Sequence, residues 1–254
     1  MSDFRPRSNS EILDAAFEIY RRHFAVFVAI NIFAAIPWAI STYVGQAAIL
    51  LHQPDGLLTS GLIRLVGVLV SPFTEGALAC ATSAAYLGAP VDFEQSVRAA
   101  LARPARLFFA MITKWILLVL GLILLIAPGL IVFKRYFALP MTVLFEDNGV
   151  RAAIRRSREL SADNGSRIFL LLGGVIAFTF LVSLTLGQTV ASLAHGSAAL
   201  TAVGTLIITA AISPFGTIVA TLLYYDIRIR HEGYDIELMT RALNTNPVAP
   251  VATY

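Results

Sequence analysis

The sequence predicts an all-α integral membrane protein of about six transmembrane helices, and three observations carry that prediction. The 254-residue chain is 57% hydrophobic, only 14% charged and has a mean hydropathy of +0.74. Soluble domains are about one quarter charged, so this chain has too little polar surface for water and a bilayer is its natural solvent. Its apolar residues fall into runs near the ~20 residues that cross about 30 Å of hydrocarbon. Its arginines cluster on one side of those runs.

Six runs are long enough, at about 24–50, 61–87, 106–127, 129–146, 166–194 and 198–225. Only Ala127-Pro128-Gly129 separates the third from the fourth, and proline with glycine predicts a tight helical hairpin there. The fourth run is the weakest, being short and holding Lys134, Arg135 and Pro140. One membrane domain is expected over 1–245, followed by a flexible tail at 246–254. The start, MSDFRPRSNSE, has no apolar core or small-residue cleavage site of a signal peptide, so the first run is expected to stay in place. Cys80 is the single cysteine and has no internal disulfide partner.

Orientation follows from the basic residues. Arg5, Arg7, Arg21, Arg22, Arg98, Arg103, Arg106, Arg151, Arg155, Arg156, Arg158, Arg167, Arg228, Arg230 and Arg241 all fall on one side of a six-span chain. The connectors on the other side, around His52-Gln53-Pro54-Asp55-Gly56, Ala127-Pro128-Gly129 and His195-Gly196-Ser197, carry no lysine or arginine. The positive-inside rule then puts both termini in the cytoplasm, in a bacterial inner membrane. This placement also explains the pI of about 9.2 by topology and lipid headgroups rather than by nucleic acid.

The cytoplasmic segments are amphipathic. Residues 10–22 place Ile12, Leu13, Ala16, Phe17 and Tyr20 on one face, and Ser8 with Glu11 fits a capping box. Residues 92–102 start at Asp92 and Gln95 and carry Phe93, Val97, Ala100 and Leu101. Residues 149–160 set Val150, Ala153, Ile154 and Ser157 against Arg151, Arg155, Arg156 and Arg158, and 235–243 (DIELMTRAL) are a fourth such stretch. Two compatible readings stand. Either the helices lie among anionic headgroups, through Arg21, Arg22, Arg98, Arg151, Arg155, Arg156 and Arg158, or they pack as struts on the ends of the spans. A faint repeat accompanies them: Val97-Arg98-Ala99-Ala100-Leu101 echoes Val150-Arg151-Ala152-Ala153-Ile154, and Ser71-Pro72-Phe73 echoes Ser213-Pro214-Phe215.

Four passages together resemble the membrane domain found in some glycerophosphoryl diester phosphodiesterases and its free-standing bacterial relatives. They are SEILDAAFEIYRRHF, AYLGAPVDFEQSVRAAL, LLIAPGLIVFKRYFALPMTVLFEDNGVRAAIRRS and LLYYDIRIRHEGYDIEL. The last is the most specific, with its tyrosine pair, Asp226, alternating arginines and Glu232-Gly233-Tyr234-Asp235. The resemblance implies a multi-helix membrane fold. It does not imply phosphodiesterase activity, which in that family belongs to a separate soluble barrel with metal-binding carboxylates and paired histidines.

Polar residues inside spans are the functional leads. Glu75 is the acidic residue at membrane depth, and Lys114 on the next span lies within reach of it. Pro72, one turn before Glu75, frees a carbonyl of the preceding turn. The pair is either a binding or proton site, with Lys114 as counter-ion or anion anchor, or a structural ion pair; Arg135 is the second candidate partner. Lys134, Arg135 and Arg64 add positive charge, with Arg64 expected to snorkel outward. The sixth span repeats a hydroxyl every fourth residue, at Thr201, Thr205, Thr209, Ser213, Thr217 and Thr221, which suits close helix packing or a hydroxyl-lined path.

No nucleophile–base pairing, P-loop, dinucleotide fingerprint or GxSxG is present, and the four histidines lack ligand spacing. No catalytic residue, metal site or cofactor is expected. The first reading is therefore a non-enzymatic module that interacts with lipid and organises membrane or assists a partner. The alternative is a transporter or lipid translocator for an anionic solute or headgroup, built on Glu75 and Lys114. Tight packing throughout would favour the module; a polar cavity opening to one face and lined by Glu75, Lys114, Lys134 and Arg135 would favour transport.

Overall fold

The structure, a computed structural model, describes residues 5–124, 126–146, 149–234 and 236, and every regular element among them is helical. In chain order these are α1 (Asn9–Arg22), α2 (Phe24–Leu50), α3 (Pro54–Tyr86), α4 (Phe93–Ala100), α5 (Pro104–Leu124), α6 (Ile126–Arg135), α7 (Leu139–Phe145), α8 (Val150–Ser161), α9 (Gly165–Leu193), α10 (Ala198–Ile212) and α11 (Pro214–Glu232). Six stretches are long and apolar enough to cross a membrane: Phe24–Leu50, Pro54–Tyr86, Pro104–Gly121, Pro128–Phe145, Gly165–Leu193 and Ala198–Glu232. The chain is a multi-pass membrane protein.

Three boundaries differ from the expected ones. The second span begins at Pro54 rather than near 61, with proline in the first turn, where its missing N–H would have had no partner anyway. The sixth span continues past 225 to Glu232, because Arg228 and Arg230 meet carboxylates and so need not leave the helix for water. The helix α6 begins at Ile126 rather than near 129, and Pro128 sits in its first turn. Apart from Ile236, the expected helix at 235–243 lies outside the described residues, as does the tail at 246–254.

The hairpin itself is tight. A Cβ on Gly121 of α5 would come within 2.9 Å of the Gly129 Cα of α6, whereas residues eight apart on one straight helix are separated by about 12 Å. The two backbones therefore touch through their glycines. Gly121→Ala should destabilise the protein by about 1–3 kcal/mol, because the atoms in the way are backbone and cannot swing aside. Thermal unfolding in detergent would read this; an unchanged midpoint would refute the contact.

The amphipathic helices form where expected, and each packs into the bundle. In α1 the Ser8 hydroxyl accepts the Glu11 N–H at 3.3 Å and the Glu11 carboxylate accepts the Ser8 N–H at 2.7 Å. That backbone bond, with Arg5 at 2.5 Å, holds the Glu11 carboxyl down at about 2. Asp92 caps α4 by accepting the Gln95 N–H at 2.9 Å. Ile12 and Ala16 of α1, Ala100 of α4, and Ala153, Ser157 and Leu160 of α8 are buried.

Packing is concentrated at one end. The ends of α3, α7 and α11, the start of α9 and the residues before α1 meet there through Tyr86, Glu146, Arg156, Arg167, Arg7 and Asp226. In α9 the buried residues, Ile168, Leu171, Leu172 and Val175, all lie in its first half. Further along, Ile176, Phe178, Phe180, Leu181, Leu184 and Leu186 are exposed. Lipid tails solvate such side chains as well as a protein core does, so the far half of the bundle can be open to the bilayer while the basic end carries the core.

Candidate intramembrane site

Prolines create the site. Pro72 in α3 cannot donate to the Val68 carbonyl, and Pro214 at the start of α11 cannot donate to that of Ala210. Each freed group finds a side-chain donor. The Ser71 hydroxyl donates to Val68 O at 2.9 Å. The Asn31 amide of α2 donates to Thr209 O at 2.9 Å and to Ala210 O at 3.5 Å. The Tyr20 hydroxyl of α1 donates to the next carbonyl, that of Ala211. Burial pushes this hydroxyl up to about 12, so it remains a donor at neutral pH.

The two Ser-Pro steps face one another. Ser71, Thr74, Glu75 and Leu78 of α3, Asn31, Ala34 and Trp38 of α2, and Thr209, Ser213 and Thr217 enclose a cavity of about 190 Å³. Counted along α3, Glu75 is about 17 Å from the helix end at Tyr86. The faint echo of Ser71-Pro72 in Ser213-Pro214 thus corresponds to two helix interruptions sharing one cavity. The hydroxyl stripe divides: Thr209, Ser213 and Thr217 line the cavity, while Thr201 and Thr221 are buried in packing and bond carbonyls one turn back.

Glu75 is the one charged residue in this lining. Among the described residues its carboxylate makes no hydrogen bond and no close ion pair. Lys114 of α5 acts on it electrostatically but is not part of the cavity wall. The other basic candidates sit elsewhere. Arg135 is exposed, and Lys134 lies over the start of α9 against Gly165. Arg64 crosses to α2, its Nε donating to the Ser41 hydroxyl at 3.1 Å and its guanidinium 5.7 Å from the Trp38 ring. Glu75 therefore has Lys114 as a counter-charge without a close ion pair among the described residues, and the four basic candidates do not converge in the cavity wall.

The seven arginines expected at lipid headgroups also divide. Arg21, Arg22, Arg98, Arg151, Arg155 and Arg158 are exposed, with Arg98 2.5 Å from Glu94 and Arg155 3.8 Å from Glu159. Arg156 turns inward, donating to Glu146 at 2.7 Å and also to Glu232. A groove of about 460 Å³ between α1 and α9 is lined mainly by apolar residues, among them Leu13, Phe17, Leu170 and Phe178.

A second polar assembly, at the basic end, was not legible as such. Asp226, 3% exposed, accepts from the Arg7 backbone N–H at 2.6 Å, from Arg167 Nη1 at 2.5 Å and from Arg230 Nε at 2.8 Å. Arg167 and Arg230 each also donate to the Arg7 carbonyl at 2.6 Å. Beside it, Glu146 accepts the Tyr224 hydroxyl at 2.8 Å, Glu232 accepts from Arg228 at 3.0 Å, and the Arg228 guanidinium lies 3.8 Å from the Tyr234 ring centre. Tyr86, Tyr225 and Tyr234 stack in series at 5.0 and 5.9 Å. The available signal was the spacing of four between Asp226 and Arg230, and between Arg228 and Glu232, which extends the helix beyond its apolar part.

No known family model matches the chain, and neither the curated proteins nor the solved structures contain a match.

Proposed function

We propose that this chain is a non-enzymatic transport protein of a bacterial cytoplasmic membrane, with its basic end in the cytoplasm, and that a small solute enters the Glu75 cavity. The supporting observation is the cavity itself. Burying one carboxylate and several hydroxyls at membrane depth is unfavourable, and a merely structural core would be filled with apolar side chains. Paired interruptions in apolar helices are also where membrane transporters build solute sites.

Thiol labelling tests both the cavity and the orientation. With Cys80 replaced by alanine, Ser213→Cys in sealed vesicles should react with small water-soluble thiol reagents from at least one face. Failure of reagents of either charge to react with folded protein would end the transport reading. In the same background Asp55→Cys should react from the outside and Arg155→Cys from the cytoplasm; the reverse pattern would invert the topology.

The lipid-organising reading has its own support in the exposed arginines of α8. Changing Arg151, Arg155 and Arg158 together to Glu should weaken association with anionic nanodiscs, each charge being worth about 1 kcal/mol near such a surface. An unchanged lipid preference would remove the headgroup role and leave the cavity as the functional feature.

A further inference from the structure

We propose that the Glu75 cavity binds one small monovalent cation, an alkali-metal ion or a primary ammonium, between the Ser71-Pro72 and Ser213-Pro214 interruptions. This rests on the transport reading above and replaces the anionic solute expected from the sequence with a cationic one. Three observations carry it. Glu75 is the one ionisable side chain in the cavity wall, and its carboxyl group is unbonded among the described residues, so a bound cation would stabilise its ionised form. The basic residues that would favour an anion, Lys134, Arg135 and Arg64, are placed elsewhere, and Lys114 is outside the lining.

The third observation is how the hydrogens are used. Ser71 donates to Val68 O at 2.9 Å and Thr74 donates to Ser71 O at 3.0 Å. A hydroxyl has one proton and two lone pairs, so both groups offer the cavity only lone pairs. The Asn31 amide hydrogens are engaged by the Thr209 and Ala210 carbonyls, which leaves its side-chain oxygen as the free group. The wall is therefore rich in acceptors: Glu75, Ser71, Thr74 and Asn31, with the uncommitted hydroxyls of Thr209, Ser213 and Thr217 able to accept as well. Oxygen ligands with one carboxylate match a hard cation or the three N–H donors of an ammonium. An anion would meet the Glu75 charge without a compensating donor set. The volume of about 190 Å³ accommodates either cation with some of its water.

The test uses the full chain in nanodiscs, with radiolabelled sodium and methylammonium as separate probes. Saturable binding of one probe near one per chain is expected, and the probe that saturates identifies the source of the positive charge. Glu75→Gln should weaken binding at least tenfold and Glu75→Asp should retain it, with thermal unfolding confirming that both variants fold. Ser71→Ala with Thr217→Val should lower affinity by a smaller factor, and Lys134→Gln should leave it unchanged. Absence of saturable binding by either probe, or equal binding by Glu75→Gln and the parent, would overturn the proposal. Labelling of Ser213→Cys separates the two ideas. A cavity that reacts faster with an anionic than a cationic reagent refutes the cation and keeps transport. Cation binding without any labelling refutes transport and keeps the site.

Discussion

Replacing Asp226 by alanine should destabilise the protein by about 3–5 kcal/mol, the range measured when one partner of a buried ion pair is removed. The carboxylate is 3% exposed and takes three donors, from Arg167, Arg230 and the Arg7 backbone. Arg167 is itself mostly buried, with 17% of its side chain exposed, and in the variant it would be left charged without a carboxylate. The effect should be local in a recognisable way. Asp226 holds the Arg7 N–H directly and positions Arg167 and Arg230 on the Arg7 carbonyl, so the segment before α1 should become the first site of limited proteolysis. Asp226→Asn should fall between alanine and the parent, since the amide keeps one acceptor oxygen but loses the charge. A thermal midpoint for Asp226→Ala equal to that of the parent would show that the assembly contributes little.

Glu75→Gln should have the opposite signature, a large loss of solute or cation binding with little or no loss of stability. A carboxylate that faces a cavity without a bonded partner contributes no interaction that glutamine would remove, and its neutral replacement avoids the desolvation of a charge. The expected binding loss is at least tenfold, or about 1.4 kcal/mol. The structural ion-pair reading predicts something else: Glu75→Gln and Lys114→Met would each destabilise, and the double variant would recover much of the loss. Because Lys114 acts on Glu75 from beyond direct contact, the coupling in a double-mutant cycle should be below about 1 kcal/mol. A coupling of 3 kcal/mol or more, with binding intact in the double variant, would establish the pair as a structural lock and remove the functional role.

Much of the architecture was determined by the sequence alone. Apolar run lengths defined the six spans because each must satisfy its backbone hydrogen bonds within a helix when no water is present. Ser8 with Glu11, and Asp92 with the backbone of Gln95, marked helix starts because capping is a local interaction over three residues. Glu75 was identifiable as a candidate because a carboxylate in an apolar run is costly wherever the run packs.

Tertiary structure decided what each polar group meets. Sequence could not tell that Lys134 and Arg135 turn away from Glu75, since helix rotation is set by packing rather than by composition. It could not show that Asn31 and Tyr20 reach the carbonyls around the Pro214 interruption, because those partners are 178 to 191 residues away. By sequence the arginines at 167, 228 and 230 are topological charges, and only the meeting of chain start, α9 and α11 makes them partners of Asp226 and its neighbours. Positive charge near a membrane exit orients a helix whether or not it finds a carboxylate. Whether it does depends on contacts between distant segments, which hydropathy and local spacing do not encode.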